Sequence, residues 1–375
     1  MIQQTIFSSG DSYFASLLTD LRAATQTIAL ETYIFNPDPL GQEVAKELIK
    51  AAQRGVQVRI LVDGAGSSLW GGKLTLDLER VGIQTRIFHP FPWRTWHWSR
   101  SHVRTPFLLK MIYLFLKINS RNHRKICLID NRIAYVGSFN ITQDHLSEQQ
   151  KGKGWRDTAV KITGADLQPL ADAFNAAWDH QPIKERLRKM FRQINTNPIF
   201  RINNTRHRRR LLYKDLLHRM LQCKKRIWMT NAYFVPDNFL LRSIIEKAED
   251  NLDVRILLPK DSDIFFMTWA SSAFYYNLLK AGVRIFEYLP SNIHAKVLMM
   301  DDWVIVGSSN LNHRSLLHDL EADVNICDPQ GKQAIEQQFL IDLKNSREIS
   351  LSNWRVRPFY QRFIGKLLLY LKYWI

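Results

Sequence analysis

The sequence predicts an α/β fold built from two copies of one unit, and three observations predict it. Short apolar runs with strand character alternate with amphipathic helical stretches along most of the 375 residues. The order of these segments is the same in both halves. Two polar frames, NHRKICLIDNRIAYVGSFN (122–140) and NIHAKVLMMDDWVIVGSSN (292–310), recur at corresponding places in that order.

The elements follow in sequence. TIALETYIF (27–35) reads as a buried strand, GQEVAKELIKAAQRG as an amphipathic helix, and VQVRILVDG as the next strand. RVGIQTRIF (80–88) is a helix end, a glycine turn and a strand. The first polar frame comes next, and RDTAVKITG (156–164) closes the unit. In the second half RIWMTNAYF (226–234), LLRSIIEKAEDN, LDVRILLPK, KAGVRIFEY (280–288), the second frame and LEADVNICD (320–328) repeat the series. A repeat of this length is the duplication of a whole domain, not a short solenoid unit. The expected division is a first domain at 1–180, a polar connection at 181–205 and a second domain at 206–375. Two regions break the symmetry. The first half carries an insertion, FPWRTWHWSRSHVRTPFLLKMIYLFLKINSR (91–121), and KERLRKMFRQ (184–193) and RHRRRLLYKDLLHR (206–219) lie between the halves as densely basic runs.

Composition bounds the function. A 46% hydrophobic chain of this length forms a sizeable core and is not a disordered one. The three cysteines, Cys127, Cys223 and Cys327, are far apart and form no CxxC pair, so a reducing compartment is expected and a zinc site is not. The N-terminal MIQQTIFSSGDSYF lacks the pattern of a signal peptide, and no run approaches the roughly 18 apolar residues of a spanning helix. The net charge of +17 selects polyanionic partners, nucleic acid or an anionic lipid surface, without separating them.

The frames carry the chemistry. Alternation along a strand puts His123 and Lys125 on one side, and likewise His294 and Lys296. The apolar runs ICLI and VLMM lead to Asp130 and Asp301. A returning strand then reaches Gly137-Ser138-Phe139-Asn140 in one half and Gly307-Ser308-Ser309-Asn310 in the other. Such a hairpin brings serine and asparagine back beside histidine and lysine, with glycine permitting close backbone approach. Two sets together suit phosphodiester transfer. One histidine attacks phosphorus, and the other protonates the leaving alcohol and deprotonates the incoming one. The lysines and asparagines hold the non-bridging oxygens. Lysine supplies the positive charge, so neither a metal nor another cofactor is expected. A lone His-x-Lys is usually an ordinary half-exposed strand. Two copies with the same Gly-Ser-x-Asn tail point to chemistry, because duplication alone would preserve only the apolar frame.

These frames resemble the motif of the phospholipase D superfamily: His-x-Lys, four residues, Asp, about six residues, then Gly-Gly or Gly-Ser, x and Asn. The resemblance covers nearly the whole chain. It implies a pseudo-twofold pair of α/β/α sandwich domains with one active site at their interface. It also implies a phosphohistidine intermediate, usually on the first motif, which makes His123 the nucleophile and His294 the general acid and base. The family places an acidic residue shortly after each motif to orient a histidine; Glu321 and Asp157 occupy those positions. Asp130 and Asp301 complete the motifs and are counted with the catalytic set, with an organising role in place of proton transfer. Ser138, Asn140, Ser308 and Asn310 are expected to hold the substrate phosphate or to orient its partners. The second motif departs by one residue, with five instead of six between Asp301 and Gly307.

Within the superfamily, ETYIFNPDPLGQEVAKELIKAAQRGVQVRILVDG and NHRKICLIDNRIAYVGSFNIT resemble bacterial cardiolipin synthases, in particular the shorter, cardiolipin synthase B-like forms. That likeness implies transfer of a phosphatidyl group from phosphatidylglycerol to a second phosphatidylglycerol or to phosphatidylethanolamine. Trp93, Trp96 and Trp98 interleave with Arg94, Arg100 and Arg104 ahead of an apolar segment, and FYQRFIGKLLLYLKYWI (359–375) has the character of a helix lying in a membrane interface. The expected partner is therefore an anionic phospholipid surface, not nucleic acid, and the expected location is peripheral, on the cytoplasmic face of the bacterial cell membrane. A phospholipase D-type hydrolase or a nuclease would use the same chemistry, and a membrane-binding scaffold with a decayed site is the non-enzymatic alternative.

Overall fold

A computed structural model describes residues 2–179 and 199–371. The basic run at 184–193 and the terminal Tyr373 and Trp374 lie outside the described residues. Strands β1 (Gln3–Phe7), β2 (Thr27–Thr32), β3 (Gln57–Asp63), β4 (Gln84–Phe88), β5 (Ile126–Ile129), β6 (Ile133–Gly137) and β7 (Ala159–Thr163) form one sheet. Its spatial order is β1-β7-β6-β5-β2-β3-β4. Strands β8 (Phe200–Ile202), β9 (Arg226–Thr230), β10 (Asp253–Pro259), β11 (Arg284–Tyr288), β12 (Val297–Met300), β13 (Trp303–Gly307), β14 (Ala322–Asn325) and β15 (Ser346–Ile349) form the other. Its order is β15-β11-β10-β9-β12-β13-β14-β8. Read from β4, the first sheet matches the second strand for strand, and β15 is an addition at the edge. Phe200–Ile202, expected inside the connection, is instead the counterpart of β1 and pairs with β14.

In each half three parallel strands lie beside antiparallel ones. Parallel neighbours need a crossover, and amphipathic helices supply it. Pro39–Gln53 starts where the Asp38 carboxylate accepts the Gly41 N–H at 2.9 Å. Its counterpart Asn238–Glu249 starts in the same way, with Asp237 accepting from Leu240 at 2.9 Å. An acceptor at the N-cap satisfies one of the helix's orphan donors.

Each sheet buries one face under its own helices, around Leu48 and Ile60 in the first half and Ile244 and Ile256 in the second. The other faces form a single shared core, in which Leu128, Val136 and Val160 pack with Trp228, Val306 and Val324. Two short parallel bridges stitch the backbones across this seam. His123 N–H donates to Leu320 O at 2.9 Å and Leu320 N–H to Arg121 O at 2.9 Å; Arg156 N–H donates to Asn292 O at 2.9 Å and His294 N–H to Arg156 O at 2.8 Å. The expected pair of α/β units meeting at one interface is the observed architecture.

The motif aspartates sit at the far tips of the hairpins, in the left-handed region at φ 52° and 51°. Asp130 accepts the N–H groups of Thr25, Gln26 and Thr27 at 2.7–2.9 Å, where β2 begins. Asp301 accepts those of Lys224, Lys225 and Arg226 at 2.9–3.0 Å before β9. Each locks hairpin to sheet at the end opposite its histidine. Asp130→Ala should therefore cost about 1–2 kcal/mol of stability, read as a lower thermal midpoint, while turnover per folded molecule stays within about twofold. An unchanged midpoint with lost turnover would return Asp130 to the chemistry.

Candidate active site

Each His-x-Lys stands at the entry to the central strand of its half, where β5 and β12 leave the seam. The returning strand closes over it: Gly137 N–H donates to Lys125 O and Gly307 N–H to Lys296 O, both at 3.3 Å. These glycines are required by crowding. A Cβ at Gly137 would lie 2.4 Å from the Ala159 Cβ, and one at Gly307 2.1 Å from Asp323 Oδ1. The one-residue difference between the motifs is absorbed at the hairpin tips. Three residues separate the paired Ile129 and Ile133, and two separate Met300 and Trp303. The serines therefore arrive in the same register, Ser138 N–H on Thr158 O at 3.0 Å and Ser308 N–H on Ala322 O at 3.1 Å.

The carboxylates cross the seam. His123 Nδ1 lies 3.1 and 3.2 Å from the two oxygens of Glu321, and His294 Nδ1 lies 2.8 Å from Asp157 Oδ2. Each histidine is thus oriented by the other half's acid. Protonated at Nδ1 towards the carboxylate, each ring keeps Nε2 for the reacting centre. Ser138 donates to Asp157, and Ser308 donates to Glu321. The motif serines, expected at the phosphate or in an orienting role, hold the carboxylates. Asn140 Oδ1 accepts the Ile34 N–H at 3.2 Å, whereas Asn310 Oδ1 is buried without a hydrogen-bond partner. Lys125 Nζ donates to His123 O at 2.6 Å and Lys296 Nζ to His294 O at 2.5 Å. Asp130 and Asp301 do not join this group.

Four side chains of the site escaped the sequence reading. Tyr33 meets His123 edge-on at 5.0 Å between ring centres, and Tyr233 meets His294 at 6.0 Å. Asp263 accepts the Tyr233 hydroxyl at 2.7 Å. His145 is buried beside Asp157, 3.6 Å from Nδ1 to Oδ2. Tyr33 and Tyr233 stand in the runs read as strands, and Asp263 lies in no motif. His145 had a signal: it stands five residues past Asn140, where the other frame has Ser315.

Burial sets the electrostatics. It drives Lys125 down to about 7 against Glu321, and Lys296 down to about 8 against Asp157. Burial and the two lysines hold His123 well below the usual range. Burial and Lys296 lower His294 as well, but Asp157 works in the opposite direction. Burial would raise Asp157, yet His294 and Lys296 override it and hold the carboxyl at about 2. Glu321 is pushed up by burial to about 7, despite Lys125 and the hydrogen bonds from Ser308 and Ser315. The two halves supply similar side chains in unlike charge states.

Duplicated α/β sheets with a histidine–lysine pair from each half at a common seam define the architecture of the phospholipase D superfamily. The family model described as cardiolipin synthase, phospholipase D-like domain, matches residues 17–178 and 216–343. A cardiolipin synthase of Staphylococcus aureus is 31% identical over 366 residues, covering 96% of this chain and 70% of that protein. One from Clostridium perfringens is 29% identical over 379 residues, covering 97% of this chain and 75% of that protein. The crystal structure of a phosphatidylserine synthase from Haemophilus influenzae has the same fold, with a TM-score of 0.71 at 15% identity over 100% of this chain and 95% of that one. The chain belongs to the cardiolipin synthase family of phospholipase D-like proteins and is an enzyme of the phosphatidyltransferase class.

The lysines give this site a pH-dependent anion affinity. Sulfate keeps its charge across the range, so any change with pH reports on the protein. As pH rises through about 7 and then about 8, Lys125 and Lys296 lose their protons. Calorimetric titration should find sulfate bound at least about tenfold more weakly at pH 9 than at pH 6. Equal affinity would show that these lysines stay charged.

Proposed function

We propose that the protein joins two phosphatidylglycerol molecules into cardiolipin and glycerol through a phosphohistidine at His123. The observation that carries this reading is the crossed pairing of each histidine with a carboxylate of unlike charge state. His123, held neutral, attacks the phosphorus of one phosphatidylglycerol through Nε2. The P–O bond to the glycerol headgroup breaks, and His294, whose protonated form the Asp157 anion favours against burial and Lys296, gives its proton to the leaving oxygen. Glycerol departs. A hydroxyl of a second phosphatidylglycerol then returns a proton to His294 as it attacks phosphorus, and the P–N bond to His123 breaks. Lys125, Lys296, Asn140 and Asn310 are assigned to the non-bridging oxygens, whose charge grows in both transition states. Glu321 and Asp157 orient the rings.

The same reading puts the enzyme on the cytoplasmic face of the membrane as a peripheral protein. Among the described residues no helix is long and apolar enough to cross a bilayer. The helix Phe107–Leu116 exposes Phe107, Leu108, Leu109, Ile112, Phe115 and Leu116, with Trp93 and Trp96 also exposed in the insertion. In the second half Phe265 and the helix Phe359–Leu368, with Phe359, Tyr360 and Phe363, are exposed in the same way. Gly365 lets this helix approach Trp269, since a Cβ there would lie 2.4 Å from the Trp269 carbonyl. The insertion follows β4, and the helix carrying Trp269 follows β10, so both patches arise at the carboxyl ends of parallel strands. That is the end of the sheets where His123 and His294 stand. Exposed Arg104, Arg355 and Lys366 accompany them, and each cation near an anionic surface contributes about 1 kcal/mol.

Purified enzyme with labelled phosphatidylglycerol in mixed micelles, beside His123→Ala, tests the reaction by mass spectrometry. Cardiolipin and glycerol are expected from the parent protein alone. Phosphatidic acid without cardiolipin would make it a hydrolase, and no lipid turnover with cleavage of nucleic acid would make it a nuclease. For the membrane, Leu109→Glu combined with Phe115→Glu should weaken binding to phosphatidylglycerol vesicles by about tenfold or more, with hydrolysis of a soluble phosphodiester unchanged. Undiminished vesicle binding would dismiss this helix as an anchor.

A further inference from the structure

Five residues beyond each motif asparagine the two halves hold different residues in one role. The Asn140 N–H donates to His145 Nε2 at 3.2 Å, and the Asn310 N–H donates to Ser315 Oγ at 3.0 Å. Both side chains are buried, and both turn their other side to a carboxylate. Ser315 donates to Glu321 Oε1, the oxygen 3.1 Å from His123. His145 must carry its proton on Nδ1, because Nε2 is an acceptor. That Nδ1 has no hydrogen-bond partner and lies 3.6 Å from Asp157 Oδ2, the same oxygen that His294 holds.

The surroundings differ as much as the residues do. His145 is wedged edge-on against Phe139 and Trp155, and Phe139 stacks on Tyr13 at 4.5 Å. In the second half Ser309 stands where Phe139 stands in the first. There a cavity of about 60 Å³ opens, lined mainly by apolar residues such as Leu212, Leu216 and Leu316, with Ser309, Ser315 and Glu321 at its polar side. Such a space holds several waters. Both acids are buried, but Asp157 lies behind a His145 packed in aromatic rings, whereas Glu321 borders a largely apolar cavity.

We propose that His145 and Ser315 are positioning residues that give the two active-site histidines different work: His145 holds Asp157 as a fixed, dry anion against His294, while Ser315 and its chamber leave Glu321 able to exchange a proton beside His123. This rests on the two-histidine reaction described above, with His294 as the proton carrier. Neither residue touches substrate; each acts through a carboxylate. The titratable groups facing Asp157 and His294 are His145, Lys296, Lys125, His123, Asp263, Tyr13 and Tyr233.

The test compares His145→Phe, which keeps the bulk and removes both polar contacts, with His145→Gln, which keeps an acceptor for Asn140 and a donor for Asp157. Enzyme labelled with ¹⁵N at imidazole is titrated by NMR without substrate, and pH–rate profiles are recorded with phosphatidylglycerol. In His145→Phe the Asp157 carboxylate is less firmly held, so the His294 midpoint should fall by about one pH unit. The alkaline limb of kcat should move with it, cutting kcat about tenfold above that limb at unchanged KM. His145→Gln should return both to within about twofold. An unmoved His294 midpoint with kcat reduced equally at every pH would overturn the proposal in favour of a packing role. Should His145→Phe fail to fold, His145→Ser, the other half's residue on a shorter reach, carries the same expectations. A shifted midpoint in an enzyme that makes no lipid product would sink the substrate assignment alone. Cardiolipin synthesis with an unmoved midpoint would sink this inference alone.

Discussion

The exchange of carboxylates across the seam is the constraint on which the rest of the molecule depends. Neither half holds a complete site: His123 needs Glu321, and His294 needs Asp157. Hydrogen bonds of about 3 Å tolerate little sliding, so the seam must be rigid to a fraction of an ångström. The shared apolar core supplies adhesion, and adhesion alone would not fix register. The parallel bridges at Leu320 and Arg156 do, because they place each histidine's own backbone in a two-residue ladder with the other half.

That rigidity carries an electrostatic cost, which the first half meets with a charge network. Asn122 N–H donates to Asp63 and its side chain to Glu31, at 2.9 and 2.6 Å. Arg124 lies 3.7 Å from Glu31 and also donates to Glu321 O at 3.3 Å, and Arg121 lies 3.8 Å from Asp63. Buried charges of this kind are tolerable only when mutually paired, and removing one partner typically costs about 3–5 kcal/mol. The corresponding stretch of the second half is Asn292-Ile293-His294-Ala295, with Ile293 and Ala295 fully buried in the shared core. One side of the seam is held by this charge network, and the other packs these apolar residues beside a buried ion pair, Arg156 with Asp342 at 2.9 Å. The polar residues of the duplicated frame coincide while what surrounds them differs.

How much of this was legible in the sequence follows from what each signal encodes. Alternation within a strand encodes a face, so His123 with Lys125 and His294 with Lys296 were readable as pairs. The same apolar spacing fixed β2 through β7 and β9 through β14. Alternation does not encode what lies across a seam, so Glu321 and Asp157 were expected as orienting acids only through the family resemblance, and not as partners of the opposite half's histidine. β8, with only three residues, holds too few periods to be read and fell inside an expected connection. Ser138 and Ser308 have one hydroxyl each, and the sequence could not show that a carboxylate takes it. The insertion's Trp98 is buried while Trp93 and Trp96 are exposed, a distinction that spacing alone does not make.

A site of two histidines from two equivalent halves faces a problem of degeneracy. Transfer requires one ring neutral and the other protonated at the same moment. Identical environments would share a single proton between two equal places, and half the molecules would be set to run in the unproductive sense. Each difference between the halves bears on that degeneracy. Aspartate opposite glutamate changes reach and charge state. Histidine opposite serine changes how tightly the carboxylate is held. An aromatic stack opposite a cavity changes the room for water, and water decides how readily a buried acid exchanges its proton. All three make the surroundings of His294 and His123 unlike, with the Asp157 anion favouring a proton on His294 against burial and Lys296. Duplication supplies the two histidines at matched geometry, and divergence around them makes the two rings chemically distinguishable.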